Sequence, residues 1–143
     1  MIEVSINYWV VLGAAVVSMV LGALWYGPLF GKQWIALMGW TDEQLNTMKK
    51  RGGMAKLYGV AFLGSLVMSF VLANMVVFVG AYTHATGIYA GLMAGFWGWL
   101  GFIAPVTLGA VLWEEKSWRL WILNNGYNLL SLLLMGTILA FWI

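Results

Sequence analysis

Cysteine is absent from this chain, and histidine occurs once, at His84. Disulfides, thiolate metal sites and cysteine nucleophiles are therefore excluded, and no histidine cluster is available to hold a metal. Charge is scarce too. Asp, Glu, Lys and Arg together make up 8% of the 143 residues, where soluble domains carry about 25%. A water-facing surface cannot be assembled from that composition. The net charge of +2 is too small and too local to point to nucleic acid. No ionisable residue falls within the hydrocarbon depth of any long apolar run, and proton-coupled pumps and small multidrug transporters need one as a relay. Hydrolytic chemistry fares no better. His84 lies in a loop, far from the mid-depth serines, and no carboxylate is placed to orient it. No catalytic, cofactor-binding or metal-ligating residue is assigned, and the expectation is a protein that is not an enzyme.

What is present is apolar. Hydrophobic residues make up 63% of the chain, and mean hydropathy is +0.89. Four segments have the ~20 residues that a ~30 Å hydrocarbon core requires: 7–26, 56–81, 87–112 and 118–142. The first opens on an acidic stretch and ends in Trp25-Tyr26-Gly27-Pro28 without a small-x-small cleavage site, so it reads as a retained helix and not a signal peptide. The fold class is an all-α membrane protein, a single domain over 1–143 forming a four-transmembrane-helix bundle with a helical cytoplasmic first loop, 28–55. All seven basic residues lie in or beside the first and third loops. The N-terminal tail, the second loop and the C-terminus have none. The positive-inside rule then puts loops one and three in the cytoplasm and both termini outside, in the cell (inner) membrane.

Aromatic residues mark the expected boundaries: Trp9, Tyr82, Tyr89 and Trp142 outside, and Trp25, Tyr26, Tyr58, Trp113, Trp118 and Trp121 inside. Trp97 and Trp99 fall mid-span. Buried packing is the plain reading of both, and lining a site for a flat apolar or cationic ligand is the other. Small residues form stripes: Ala14, Ser18 and Gly22 on the first helix, Ala61, Ser65, Ser69 and Ala73 on the second, and Gly87, Gly91, Gly95 and Gly98 on the third. Such stripes let helix backbones approach closely. Packing within the chain accounts for them, and a homo-oligomer through the glycine face of the third helix is the competing reading. Pro105 should kink that helix near its cytoplasmic third.

The first loop has its own pattern. Phe30, Trp34, Leu37 and Met38 form one face of a short helix suited to the headgroup plane, with Lys32, Gln33 and Ala36 opposite. A second short helix follows, with Thr41 as N-cap, Gln44 completing a capping box and Trp40 against Leu45 as a hydrophobic staple. Asp42 and Glu43 suit its positive end, and Lys49, Lys50 and Arg51 its negative end. Gly52-Gly53 should stop it. The basic cluster would rest against anionic lipid heads.

The last span carries the polarity. At 100° per residue, Asn124, Asn128, Ser131 and Met135 share one narrow face with Tyr127 on its flank. An unpaired amide in hydrocarbon costs several kcal/mol, so this face must look inward. Thr107, Asn124 and Asn125 lie roughly 8–11 Å from the cytoplasmic ends of their helices, and Ser18, Ser65 and Asn128 roughly 12–15 Å. All four helices thus offer hydroxyls or amides at similar height. Interhelical hydrogen bonding explains that layer, with Thr107, Ser65 or Ser18 as the expected partners of the asparagines. A small polar cavity for a neutral solute, a lipid head group or water is the alternative. Asn74 stands alone in the outer half of the second helix and should bond a neighbour.

Read in order, several landmarks carry a resemblance: Gly22-Ala23-Leu24-Trp25-Tyr26-Gly27-Pro28, Phe30-Gly31-Lys32-x-Trp34, Gly53-Met54-Ala55-Lys56, Gly101-Phe102-x-Ala104-Pro105, then Asn125-Gly126-Tyr127 and Met135-Gly136. Together they resemble the small bacterial and archaeal membrane proteins catalogued as domain of unknown function 1761. That family often has one acidic residue followed by a glycine or basic residue in the third loop, where this chain has Glu114-Glu115-Lys116. The resemblance implies four transmembrane helices and no assigned activity. Three readings of function follow. The first is a non-enzymatic packing or accessory module in the lipid bilayer. The second is a small oligomeric transporter or channel-like protein lined by the asparagine face. The third, a lipid-handling enzyme, would have to draw Glu114, Glu115 and His84 from opposite sides of the membrane.

Overall fold

The computed structural model describes residues 4–50 and 53–142, which form helices and short connections with no strand among the described residues. Helix α1 spans Tyr8–Leu24 and starts at Asn7, whose side-chain oxygen accepts from the Trp9 amide at 3.0 Å. A π-helical turn, Trp25–Leu29, continues it directly. Two short helices follow, α2 over Gly31–Met38 and α3 over Asp42–Lys50. Helix α4 spans Gly53–Thr83. Helices α5 (Ile88–Gly98) and α6 (Ala104–Leu112) are joined by a second π turn, Trp99–Ile103. Helix α7 runs over Trp118–Phe141, with Ser117 capping it by accepting from the Leu120 amide at 3.1 Å.

Four helical runs are long and apolar enough to cross a membrane: Tyr8–Leu29, Met54–Thr83, Ile88–Leu112 and Trp118–Phe141. The fold is the all-α four-helix bundle that the hydropathy predicts. The second run, at 30 residues, is about 45 Å long and exceeds the ~30 Å of a hydrocarbon core.

Proline explains both π turns. It has no amide hydrogen, and its ring collides with the carbonyl four residues back. Widening one turn to i→i−5 bonding moves that carbonyl aside. Around Pro28 the Phe30 amide accordingly reaches the Trp25 carbonyl at 2.8 Å. The second π turn immediately precedes Ala104 and Pro105. The first helix therefore does not end at residue 26. It runs through Pro28, and α2 begins two residues after the π turn closes at Leu29. Each π turn also inserts a residue, which sets everything after it back by about 100° relative to an unbroken helix.

Helix α7 is the hub. Of its most apolar stretch 39% is buried, against 17–28% for the other three long runs. Met135 and Leu139 are fully enclosed and meet Ala14 of α1, Ala73 of α4 and Ala94 of α5 in the core. Glycines set the closest approach. A Cβ on Gly91 would overlap the carbonyl of Gly136, and one on Gly136 would overlap that of Gly91. At Gly95 a Cβ would fall 2.6 Å from the Leu132 carbonyl oxygen. Gly98 instead faces Met75 of α4 at ordinary contact distance. The glycine face of α5 is thus occupied within the chain. The outward faces are apolar, with Val60, Leu63 and Val67 of α4 exposed together.

Two details differ from the sequence reading. Trp97 is 57% exposed on the outside of the bundle, while Trp99, 200° further round and carried on the π turn, points inward. In α2, Gln33 and Ala36 are exposed, yet they line one cavity together with Phe30 and Leu37 of the expected apolar face, so the two faces are not cleanly divided. Trp34 turns to Tyr26 and Trp40, at ring-centroid distances of 5.3 and 5.1 Å. Helix α2 ends at Gly39, whose φ of +71° a side chain would resist.

The capping box of α3 is present. The Thr41 amide donates to Gln44 Oε1 at 2.9 Å, and the Gln44 amide donates to Thr41 Oγ1 at 3.2 Å. The roles of Arg51 and Gly52 lie outside the described residues, and Gly53 opens α4. Replacing Thr41 with alanine should cost α3 about 1 kcal/mol and speed tryptic cleavage at Lys49 and Lys50. Unchanged cleavage would show that something other than the cap holds the helix.

Candidate functional site

The polar groups of α7 form three sets of contacts at the end of the bundle that carries α2 and Arg119. The first faces α5 and α6. Thr107 on α6 donates to the Ile103 carbonyl at 2.8 Å. It accepts from Trp121 Nε1 at 3.1 Å and from Asn125 Nδ2 at 3.0 Å. One hydroxyl proton and two lone pairs are then fully used. Asn125 gives its other amide hydrogen to the Trp121 carbonyl at 3.1 Å, and its Oδ1 accepts from Trp99 Nε1 at 3.2 Å. Asn125 is 2% exposed.

The second set faces α1. Ser18 and Ser131 share a hydrogen bond of 2.8 Å, and Tyr127 donates to the Ser18 carbonyl at 3.0 Å. The Tyr127 hydroxyl lies over Gly22, where a Cβ would be 3.0 Å from it. The third faces the first π turn. Tyr26 donates to Asn124 Oδ1 at 2.8 Å, and Trp25 Nε1 donates to the Leu123 carbonyl at 3.1 Å. Gly126 seats the Trp25 indole, since a Cβ there would fall 3.2 Å from its Cζ2. Tyr127, Tyr26, Trp34 and Trp40 form a file of edge-on aromatic pairs leading from α7 to the start of α3.

The two π turns therefore do the same job. Each carries a tryptophan at its first position, and each indole N–H reaches α7, at Leu123 and at Asn125. No buried side-chain nitrogen or oxygen lacks a partner among the described residues.

The eight residues singled out in the sequence divide as follows. Thr107 and Asn125 meet, as do Ser18, Ser131 and Tyr127. Asn124 pairs with Tyr26, which the sequence did not suggest. Ser65 is buried on α4 and shares no hydrogen bond with the asparagines, and Asn128 is partly buried with no side-chain hydrogen bond among the described residues. Asn74 bonds the Phe70 carbonyl of its own helix at 2.9 Å. Four partners were missed as such: Trp25, Tyr26, Trp99 and Trp121. For Trp121 a signal existed, because it precedes Asn125 by one helical turn. Ser69, read only as a small stripe residue, donates to the Val11 carbonyl at 2.8 Å and ties α4 to α1.

Fold and site together define a four-helix bundle of membrane-spanning length, its central helix held by indole, amide and hydroxyl hydrogen bonds from three sides. The chain belongs to the family described as protein of unknown function (DUF1761), whose family model matches residues 9–140. No curated protein and no solved structure matches the sequence. The segments that carry the resemblance dock on one another. Gly22, Trp25 and Tyr26 of the first lie against Tyr127, Gly126 and Asn124, while the Gly101 to Pro105 segment closes the second π turn beneath Asn125.

Proposed function

We propose that the chain is a non-enzymatic membrane module whose polar layer clamps its helices and whose role is exerted through what it binds in the bilayer. The observation that carries this reading is the bonding of Asn125. Its three hydrogen bonds run to Thr107, Trp121 and Trp99, and they leave it joining helices with no donor free for a solute. The basic asymmetry of the loops supports an orientation with both termini outside. A homo-oligomer, on this reading, uses outward faces such as that of α4, since Gly91 and Gly95 are filled by α7.

The reading is tested against the transporter alternative by flux. Liposomes containing the purified protein should take up glycerol or urea no faster than empty liposomes. Uptake above that background, abolished by Asn128→Leu, would establish a solute path along the asparagine face and end the clamp reading. Orientation is tested separately. An impermeant maleimide applied to intact cells should label Thr83→Cys and spare Thr47→Cys, and the reverse pattern would overturn it.

A further inference from the structure

A cavity of about 670 Å³ lies between α2, the first π turn and the first two turns of α7. Its wall is apolar, built by Trp25, Phe30, Leu37, Ile122 and Leu123, with only Gln33 and Arg119 as polar side chains and no acidic residue. The two ends differ. Arg119 stands at the start of α7, and Gly126 lies seven residues further along, about 10 Å deeper. The groove thus runs from a fixed positive charge down into purely apolar depth. Its mouth opens sideways, because Gln33, Ala36 and Ile122 are all exposed.

We propose that this groove holds an anionic glycerophospholipid of the surrounding leaflet, its phosphate on the Arg119 guanidinium and one acyl chain along the indole of Trp25. Charge complementarity selects the head group, since the guanidinium fork matches phosphate oxygens and nothing in the wall opposes it. The depth profile selects a lipid. A peptide would bury unpaired backbone groups against this wall, and a small polar solute would find only Gln33 besides Arg119 to bond. Trp25 and Gly126 form the floor, so the lipid rests on the contact that joins the first π turn to α7. This goes beyond the packing role and holds whether or not a solute crosses the bundle.

The test is lipid retention by the detergent-purified protein, read by native mass spectrometry after exchange with equal amounts of palmitoyl-oleoyl phosphatidylglycerol and phosphatidylcholine. Phosphatidylglycerol should be retained in preference, by about fivefold or more for one arginine at headgroup level. Arg119→Gln should remove the preference, and Lys56→Gln, a basic residue at the same end but outside the groove, should keep it. Ala36→Trp should block retention of both lipids. If that variant does not fold, Gln33→Glu, which places a carboxylate at the exposed rim, should repel phosphatidylglycerol. Equal retention of the two lipids by the wild type, or a preference that survives Arg119→Gln, overturns the proposal. Displacement of the lipid by millimolar inorganic phosphate would also overturn it, by showing a site for free anions.

Discussion

Gly91→Leu should unfold the bundle or leave it too loose to remain monodisperse in detergent, with a loss of about 3 kcal/mol or more. Overpacking a filled core usually costs about 1–3 kcal/mol, because side chains shift to make room. Here the obstacle is backbone. The first carbon of any side chain on Gly91 overlaps the Gly136 carbonyl and comes within 3.0 Å of Ala140 Cβ. No rotamer removes that collision, so α5 and α7 must separate along the face that buries Gly91, Ala94 and Gly95. Separation would also pull Trp99 from Asn125. In lipid there is little hydrophobic force to draw the helices back, and the close contact is itself the attraction. Gly59→Leu is the control, since nothing lies within 4 Å of a Cβ there, and its melting temperature should match the wild type. A Gly91→Leu protein that melted with the wild type would mean that α5 and α7 do not pack through these glycines.

Much of the fold could be read from composition because a membrane leaves the chain few choices. Backbone groups must be satisfied within each helix, so four apolar runs become four helices. Local chemistry was equally legible at Thr41 and Gln44, where the cap depends only on residues three apart. The site was legible in its residue types and less so in its pairings. Asn124 and Asn125 sit 100° apart on α7, and which of them meets α6 depends on how the two helices are rotated against each other. That rotation depends on the Trp99–Ile103 π turn, whose extra residue brings Thr107, about 160° from Gly91 at 100° per residue, round toward the glycine face that meets α7. A fixed 100° projection carries no record of such an insertion. The same blindness hid Trp25 and Tyr26, which a helix ending at residue 26 would leave at a frayed end and which the first π turn instead presses onto α7.

Asn125→Leu is the second large effect expected. The substitution removes an amide that uses both donors and accepts from an indole. Leucine has similar bulk but leaves Trp99 Nε1 without its acceptor and Thr107 without one of its two donors. Each orphaned group costs about 1–3 kcal/mol in a protein interior, while interhelical bonds in lipid average nearer 0.6 kcal/mol. With two groups affected, the loss should be about 2 kcal/mol in all. Asn128→Leu should cost nothing measurable, because that side chain has no comparable bond to lose. The contrast between two asparagines three residues apart separates a clamp from a generally polar face. Equal effects at the two positions would remove the special place of Asn125.

The central claim, that the polar layer is spent on joining helices, is tested most directly by a double-mutant cycle between α6 and α7. Thr107→Val and Asn125→Leu, singly and together, are compared by reversible unfolding in mixed detergent. The clamp predicts that the double variant loses less than the sum of the singles, with a coupling of about 1 kcal/mol, because each single change already breaks the shared bond. Losses that add to within about 0.3 kcal/mol would contradict it, and would place water or a ligand between groups that the structure joins at 3.0 Å.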